Sequence, residues 1–123
     1  MARVSKKEQI KFLKKWSAAL RSGTYRQAEG RLRRGDSYCC LGVATCISGD
    51  TPVQKDEAHG TIHNGRFPET HAFLGGSGIS LLDAYLPGVQ LVSFPTMNDD
   101  YKMSFDEIAD IVDIIVWEMT HGT

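Results

Sequence analysis

Ser5 and Glu8 stand in a capping-box pattern, and Ile10, Leu13, Trp16 and Leu20 then recur at helical spacing until Gly23, a residue suited to the position after a helix end. This predicts a first helix over about residues 6–22, with Lys7, Lys11, Lys14, Lys15 and Arg21 on its other face. Thr24 to Leu32 mixes Tyr, Gln and Arg around Gly30, and Arg33-Arg34-Gly35-Asp36 has the character of a turn before the apolar stretch that begins at Tyr38; together they suggest a β-hairpin. From Cys40 through Ile47 the apolar residues are too dense for a half-exposed strand. Cys40, Val43 and Ile47 fit a short helix that Gly49-Asp50 ends.

Residues 49–80 change character, with frequent Gly, Pro, Thr and His, and are expected to form a loop-rich surface insertion or a pair of short strands. Residues 79–86 allow two helical turns before Pro87-Gly88, after which Val89 to Phe94 alternates weakly like a strand. The final segment has the plainest pattern: Met103 as staple, Ser104 as cap, Glu107 closing the box, and Phe105, Ile108, Val112, Ile115 and Met119 on one face. Its outward face carries Asp106, Asp110, Asp113 and Glu118. The fold class expected is α+β: one small domain over residues 1–123, with a small antiparallel sheet packed by N-terminal and C-terminal helices and the 49–80 insertion at its surface.

Composition narrows the class without changing this outline. Over 123 residues, 41% hydrophobic and 24% charged content are ordinary for a globular chain and argue against disorder or a coiled-coil rod. No apolar run approaches the roughly 20 residues of a membrane helix, and the charged N-terminus lacks the apolar stretch of a secretory signal. Three cysteines, Cys39, Cys40 and Cys46, suit a reduced compartment better than a disulfide framework, so a cytoplasmic location is expected. The net charge of −1 conceals an asymmetry: residues 1–35 carry 11 − 2 = +9, and residues 36–123 carry 3 − 13 = −10. Either the first third meets an anionic partner, or the two parts pair with each other within or between protomers.

Three chemistries follow from the side chains. Cys39 and Cys40 lie where a strand passes into a helix, a position that can stabilise a thiolate, with Arg33 or Arg34 near in sequence. A Cys39 hydrolase would need a base such as His59, His63 or His71 and an orienting Asp83, Asn98 or Asp99, yet no signature of a known cysteine hydrolase surrounds Cys39, and core packing is favoured. The histidines and thiols lack zinc-ligand spacing, so no metal and no cofactor is expected, and Gly75-Gly76-Ser77-Gly78 lacks the Lys-Ser/Thr of a phosphate loop. Anion recognition is better supported. Arg21, Arg26, Arg31, Arg33 and Arg34 gather within fourteen residues and interleave with Tyr25, Gln27 and Tyr38. Guanidinium forks suit phosphate and tyrosine rings stack on bases, giving a candidate ligand set of Arg21, Tyr25, Arg26, Gln27, Arg31, Arg33 and Tyr38. Strand alternation keeps these arginines from converging off one strand, so a pocket would draw on Arg21 from the helix end and Tyr38 from a partner strand, or on a second subunit.

Trp16-x3-Leu20-Arg21-Ser22-Gly23-x-Tyr25-x-Gln27, then Gly35-Asp36-Ser37-Tyr38-Cys39-Cys40-Leu41-Gly42-Val43, and finally Asn98-Asp99 with Ser104-Phe105-x-Glu107-Ile108-Ala109-Asp110 resemble a family of small phage proteins, over roughly residues 13–47 and 86–115. The Cys-Cys-Leu-Gly-Val block is the most distinctive part, and Cys46 falls where the family pattern has a third cysteine. The resemblance carries no catalytic residue over. By analogy with phage accessory proteins of this size, it implies a non-catalytic sponge that sequesters an anionic nucleotide, a cyclic immune signal, in the bacterial host cytoplasm, as a small homo-oligomer. A cysteine hydrolase and an inhibitor of a host protein are the rival classes. Nucleic acid ranks below a small nucleotide as partner, because the overall charge is near neutral and no recognition helix is evident.

Overall fold

A computed structural model describes residues 4–50, 54, 67–75, 78–86 and 93–121. Helix α1 (Lys6–Arg21) begins as its capping box dictates: the Glu8 amide donates to Ser5 Oγ at 3.1 Å, and Glu8 Oε1 accepts from Ser5. It buries Phe12, Leu13, Trp16 and Leu20. The last helix in the chain spans Phe105–His121 and starts on the second box, in which the Ser104 amide donates to Glu107 Oε1 at 2.8 Å and the Glu107 amide to Ser104 Oγ at 3.2 Å. Its buried face comprises Phe105, Ile108, Ala109, Val112, Ile115, Val116 and Met119, and α1 packs along it in the largest helix contact of the structure.

Between these helices the chain forms the α+β arrangement expected. Strands β1 (Arg26–Gln27), β2 (Arg33–Arg34) and β3 (Ser37–Tyr38) make a small sheet in the order β1-β3-β2. A hairpin is present, but Arg33-Arg34, expected in its turn, form a strand that pairs antiparallel with Ser37-Tyr38 around Gly35-Asp36, while β1 joins β3 in parallel; the sheet is therefore mixed and not antiparallel throughout. The cause is that the chain leaving β1 crosses through Gly30 and Leu32 to an outer position instead of folding straight back, and Leu32 is drawn into the core. Cys39 then caps α2 (Cys40–Ser48), which ends at Gly49 in the left-handed region with φ 92°. Gly42 is required in this helix, because a Cβ there would fall on the carbonyl oxygen of Leu32. The Trp16 indole N–H donates to the Cys40 carbonyl at 3.0 Å, tying α1 to the start of α2 inside the core.

The 49–80 region is not loop throughout. Helix α3 (Pro68–Leu74) buries Thr70 and Leu74, with Phe67 buried beside it, which corrects the expectation of short strands for that part; residues 51–53 and 55–66 lie outside the described residues. No side chain of its own N-cap residue holds α3. Asp50 does so from across the gap in sequence, its carboxylate accepting from the amides of Glu69 and Thr70 at 2.9 and 2.7 Å and from the Thr70 hydroxyl at 2.6 Å. Helix α4 (Ile79–Tyr85) matches the two turns read from sequence. Phe94 opens a helix, α5 (Phe94–Asp99), instead of ending a strand, and Val89 to Val92 lie outside the described residues. Ser93 Oγ accepts from the Thr96 amide at 3.2 Å and Pro95 sits in the first turn, both start signals for a helix, and these override the weak alternation before them. The last helix is thus α6.

Two stability consequences are measurable by thermal and urea unfolding. Gly42→Ala forces backbone apart at a buried contact and is expected to destabilise by about 2–3 kcal/mol; an unchanged midpoint would refute the close approach. Burial works to raise the Asp50 carboxyl pKa, but hydrogen bonds from the Thr70 hydroxyl and amide, the Glu69 amide and Ser48 outweigh it and hold the group below its usual value. A depressed folded pKa contributes stability above the unfolded value of about 3.9 that is lost as pH falls through the folded one. Asp50→Ala should therefore cost about 1 kcal/mol at neutral pH, and its deficit should vanish in strong acid.

Candidate anion-binding site

The sheet's register sorts its side chains into two rows. Arg33 and Gln27 both pair with Tyr38, and Arg34 and Arg26 both pair with Ser37. The first row faces inward: Tyr38 packs against the core, and Gln27 donates to Asn98 Oδ1 at 2.9 Å and to the Met103 carbonyl at 2.7 Å while accepting from the Phe105 amide at 3.0 Å. Paired residues share a face and successive residues alternate, so the second row faces out and sets Arg26 and Arg34 on either side of Ser37. Both arginines are exposed, and neither guanidinium has a salt bridge or hydrogen-bond partner among the described residues.

Beside this row lies an open cavity of about 460 Å³ lined by Arg34, Ser37, Gln27, Glu29, Lys102 and Met103. Its far wall is fixed from α5. Asp99 Oδ1 accepts from the Gly30 amide at 3.1 Å, and Lys102 reaches Glu29 Oε1 at 2.7 Å, a hydrogen bond that raises the Lys102 pKa. Lys102 sits at φ 55°, a left-handed conformation that a lysine adopts at a cost and that surrounding contacts must enforce. The cavity thus offers two cations, a hydroxyl and one carboxylate.

The residues expected at a ligand site from sequence are divided among several places. Arg21 is engaged on α6: its guanidinium bridges Asp110 at 2.6 Å and Asp113 at 2.7 Å, and those carboxylates raise its pKa. Tyr25 and Tyr38 meet edge to face with ring centres 5.5 Å apart, and Arg33 lies 5.6 Å over the Tyr38 ring while its Nε donates to the Gly35 carbonyl at 2.9 Å. Burial raises the Tyr25 pKa. Gln27 lines the cavity and latches the sheet, Arg26 stands in the outer row, and Arg31 is exposed between Gly30 and Leu32. Sequence reasoning did not select Ser37, Glu29 or Lys102, and it left Arg34 out of the ligand set. The tight Gly35-Asp36 turn was the available signal for Arg34 and Ser37, since a two-residue hairpin loop pairs the residues flanking it. Nothing local signalled Lys102, which arrives through the tertiary fold.

The thiols take core positions. Cys39 Sγ accepts from the Gly42 amide at 3.4 Å, the Cys40 thiol donates to the Phe94 carbonyl at 3.4 Å, and both residues are fully buried. Burial pushes the Cys39 thiol up to about 12, against the lowering effect of the Gly42 and Leu41 amides, and raises Cys40 as well. This environment works against a thiolate nucleophile. Among the described residues no histidine bonds to either thiol and no three His, Cys, Asp or Glu side chains group as a metal site; His71 lies on α3, and His59 and His63 lie outside the described residues. No helix in the described structure is long and apolar enough to cross a membrane.

Residues 6–67, just over half of the chain, match the family described as a domain of unknown function (DUF8296), and the chain belongs to that family. The match takes in α1, the whole sheet, α2 and Asp50. No curated protein and no solved structure matches the chain. A thiol reagent should label Cys46 alone in the native protein, with Cys39 and Cys40 reacting only after denaturation. Rapid native labelling at three thiols would show that α2 opens more readily than its burial implies.

Proposed function

We propose that this protein binds and sequesters a small anionic nucleotide, without cleaving it, on the outer face of its sheet and the adjoining cavity. The observation that carries the reading is the outer row: two exposed guanidiniums, without a salt-bridge or hydrogen-bond partner among the described residues, flank Ser37, next to a cavity of about 460 Å³, within the size range of small-molecule sites. Strands about 4.8 Å apart set the Arg26 and Arg34 backbones about 10 Å from each other, so two long side chains can close on one phosphate group or grip two. Lys102 adds a third cation at the rim, while Glu29 supplies an acceptor for a ligand N–H or O–H. The Cys39 hydrolase alternative is disfavoured because Cys39 and Cys40 are fully buried and burial raises the pKa of both thiols.

The resemblance of the sequence to small phage proteins suggests the ligand class, a cyclic nucleotide used as an immune signal in a bacterial host's cytoplasm. A small homo-oligomer belongs to the same reading, since exposed Lys7 and Lys14 on α1 of one copy complement Asp106 on α6 of another. The test incubates the protein with linear and cyclic nucleotides, separates it by filtration, and analyses filtrate and heat-denatured retentate by chromatography. One nucleotide should leave the filtrate and return intact. Arg26→Ala combined with Arg34→Ala should weaken retention by about 100-fold, two charge-assisted contacts of about 1.5 kcal/mol each. An altered product, or no depletion of any nucleotide, would overturn the proposal.

A further inference from the structure

A second cavity, of about 270 Å³, opens where α1, the end of α2 and α3 meet, remote in sequence from the sheet row. Its floor is apolar: Phe12 and Phe73 stack with parallel rings 4.3 Å apart, and half-buried Ile47 stands beside them. Its rim is cationic. Lys11 and Lys15 are one helical turn apart on α1, both exposed, and neither ammonium has a salt-bridge or hydrogen-bond partner among the described residues. Glu8 also lines the cavity, but its carboxylate is engaged by the Ser5 amide and hydroxyl in the capping box.

From this geometry we infer that the cavity is a binding site for a small aromatic carboxylate, its ring on the Phe12–Phe73–Ile47 floor and its carboxylate between Lys11 and Lys15. Charge complementarity selects an anion, and the apolar floor selects one with a hydrophobic body, since burying that surface is favourable and burying a strongly hydrated polyanion there is not. The volume lies just below the usual range for drug-sized ligands and suits one or two fused rings. The floor is also prebuilt: the Gln9 side-chain amide donates to the Phe73 carbonyl at 2.6 Å, and Asp50 fixes the start of α3, so the aromatic pair does not await a ligand to assemble. This site shares no residue with the sheet-face cavity and does not depend on the nucleotide reading.

The test titrates the full chain with 1-naphthoate, with the neutral 1-naphthalenemethanol and with inorganic phosphate, by calorimetry and by shifts of the Phe12 and Phe73 ring resonances. Naphthoate should saturate one site and shift both rings, with the alcohol at least about tenfold weaker and phosphate giving no ring shifts. Lys11→Gln with Lys15→Gln, exposed positions that leave the core intact, should weaken naphthoate about tenfold or more, whereas Arg26→Ala with Arg34→Ala should leave it unchanged. Absence of saturable naphthoate binding, equal affinity for acid and alcohol, or indifference to the lysine substitutions would each overturn the inference.

Discussion

Everything around the sheet depends on one pair of side-chain amides, buried Asn98 and half-buried Gln27. Asn98 is fully buried, and each of its polar valences is used: Nδ2 donates to the Ala28 carbonyl at 2.7 Å and to Asp99 Oδ1 at 2.8 Å, and Oδ1 accepts from Gln27 Nε2 at 2.9 Å and from the Cys40 amide at 3.3 Å. Gln27 carries the exchange on to the Met103 carbonyl and the Phe105 amide. Cys40 and Phe105 are the first residues of α2 and α6, so these two side chains satisfy amides that a helix start leaves without an internal partner. A sheet of three two-residue strands has too few ladder bonds to persist alone, and it persists because its first strand is bolted through this pair to two helices and α5.

The same constraint decides which charges are free. With +9 in residues 1–35 and −10 in the remainder, an intramolecular answer and an external partner were both open from sequence. The structure divides the question by element. At the α1–α6 contact Arg21 meets Asp110 and Asp113, and Ser17 Oγ donates to Asp113 Oδ1 at 2.6 Å, so that end of the asymmetry is internal pairing between exposed groups. On the sheet, Gln27 and Tyr38 are committed to the core side, and alternation then delivers Arg26 and Arg34 to the opposite side, where no acid of the described structure bonds them. Inward commitment of one row and outward freedom of the other are one fact of strand geometry.

Legibility from sequence followed the range of the interactions. The bounding helices were readable because Ser5–Glu8 and Ser104–Glu107 are three-residue signals, and the apolar stripes behind them are long. Helix α2 was readable from apolar density and Gly49. The parallel placement of β1 was not, since nothing in Arg26-Gln27 states which strand it will join; Asn98, far along the chain, determines that through Ala28 and Gln27. Helix α3 was missed because its cap is Asp50, separated from it by a stretch that reads as loop. At the candidate site Arg26 and Gln27 were identifiable by residue type, whereas Lys102 and Glu29 came together only when the Asp99–Gly30 contact closed the chain on itself.

That closure shapes the sheet-face cavity. Lys102 would not choose φ 55° in isolation, and it is held there between the Tyr101 amide donating to the Thr96 carbonyl at 3.0 Å and the Met103 amide donating to the Met97 carbonyl at 3.0 Å. On the facing wall, Gly30 turns at φ 78° so that its amide can reach Asp99. Both walls are therefore set by backbone amides that bond α5, one to the Asp99 side chain and two to its carbonyls, and α5 itself is tied to the sheet by Asn98. A ligand entering such a cavity meets a frame already ordered and need only exchange Glu29 for its own acceptor at Lys102, an exposed ion pair that solvent already weakens.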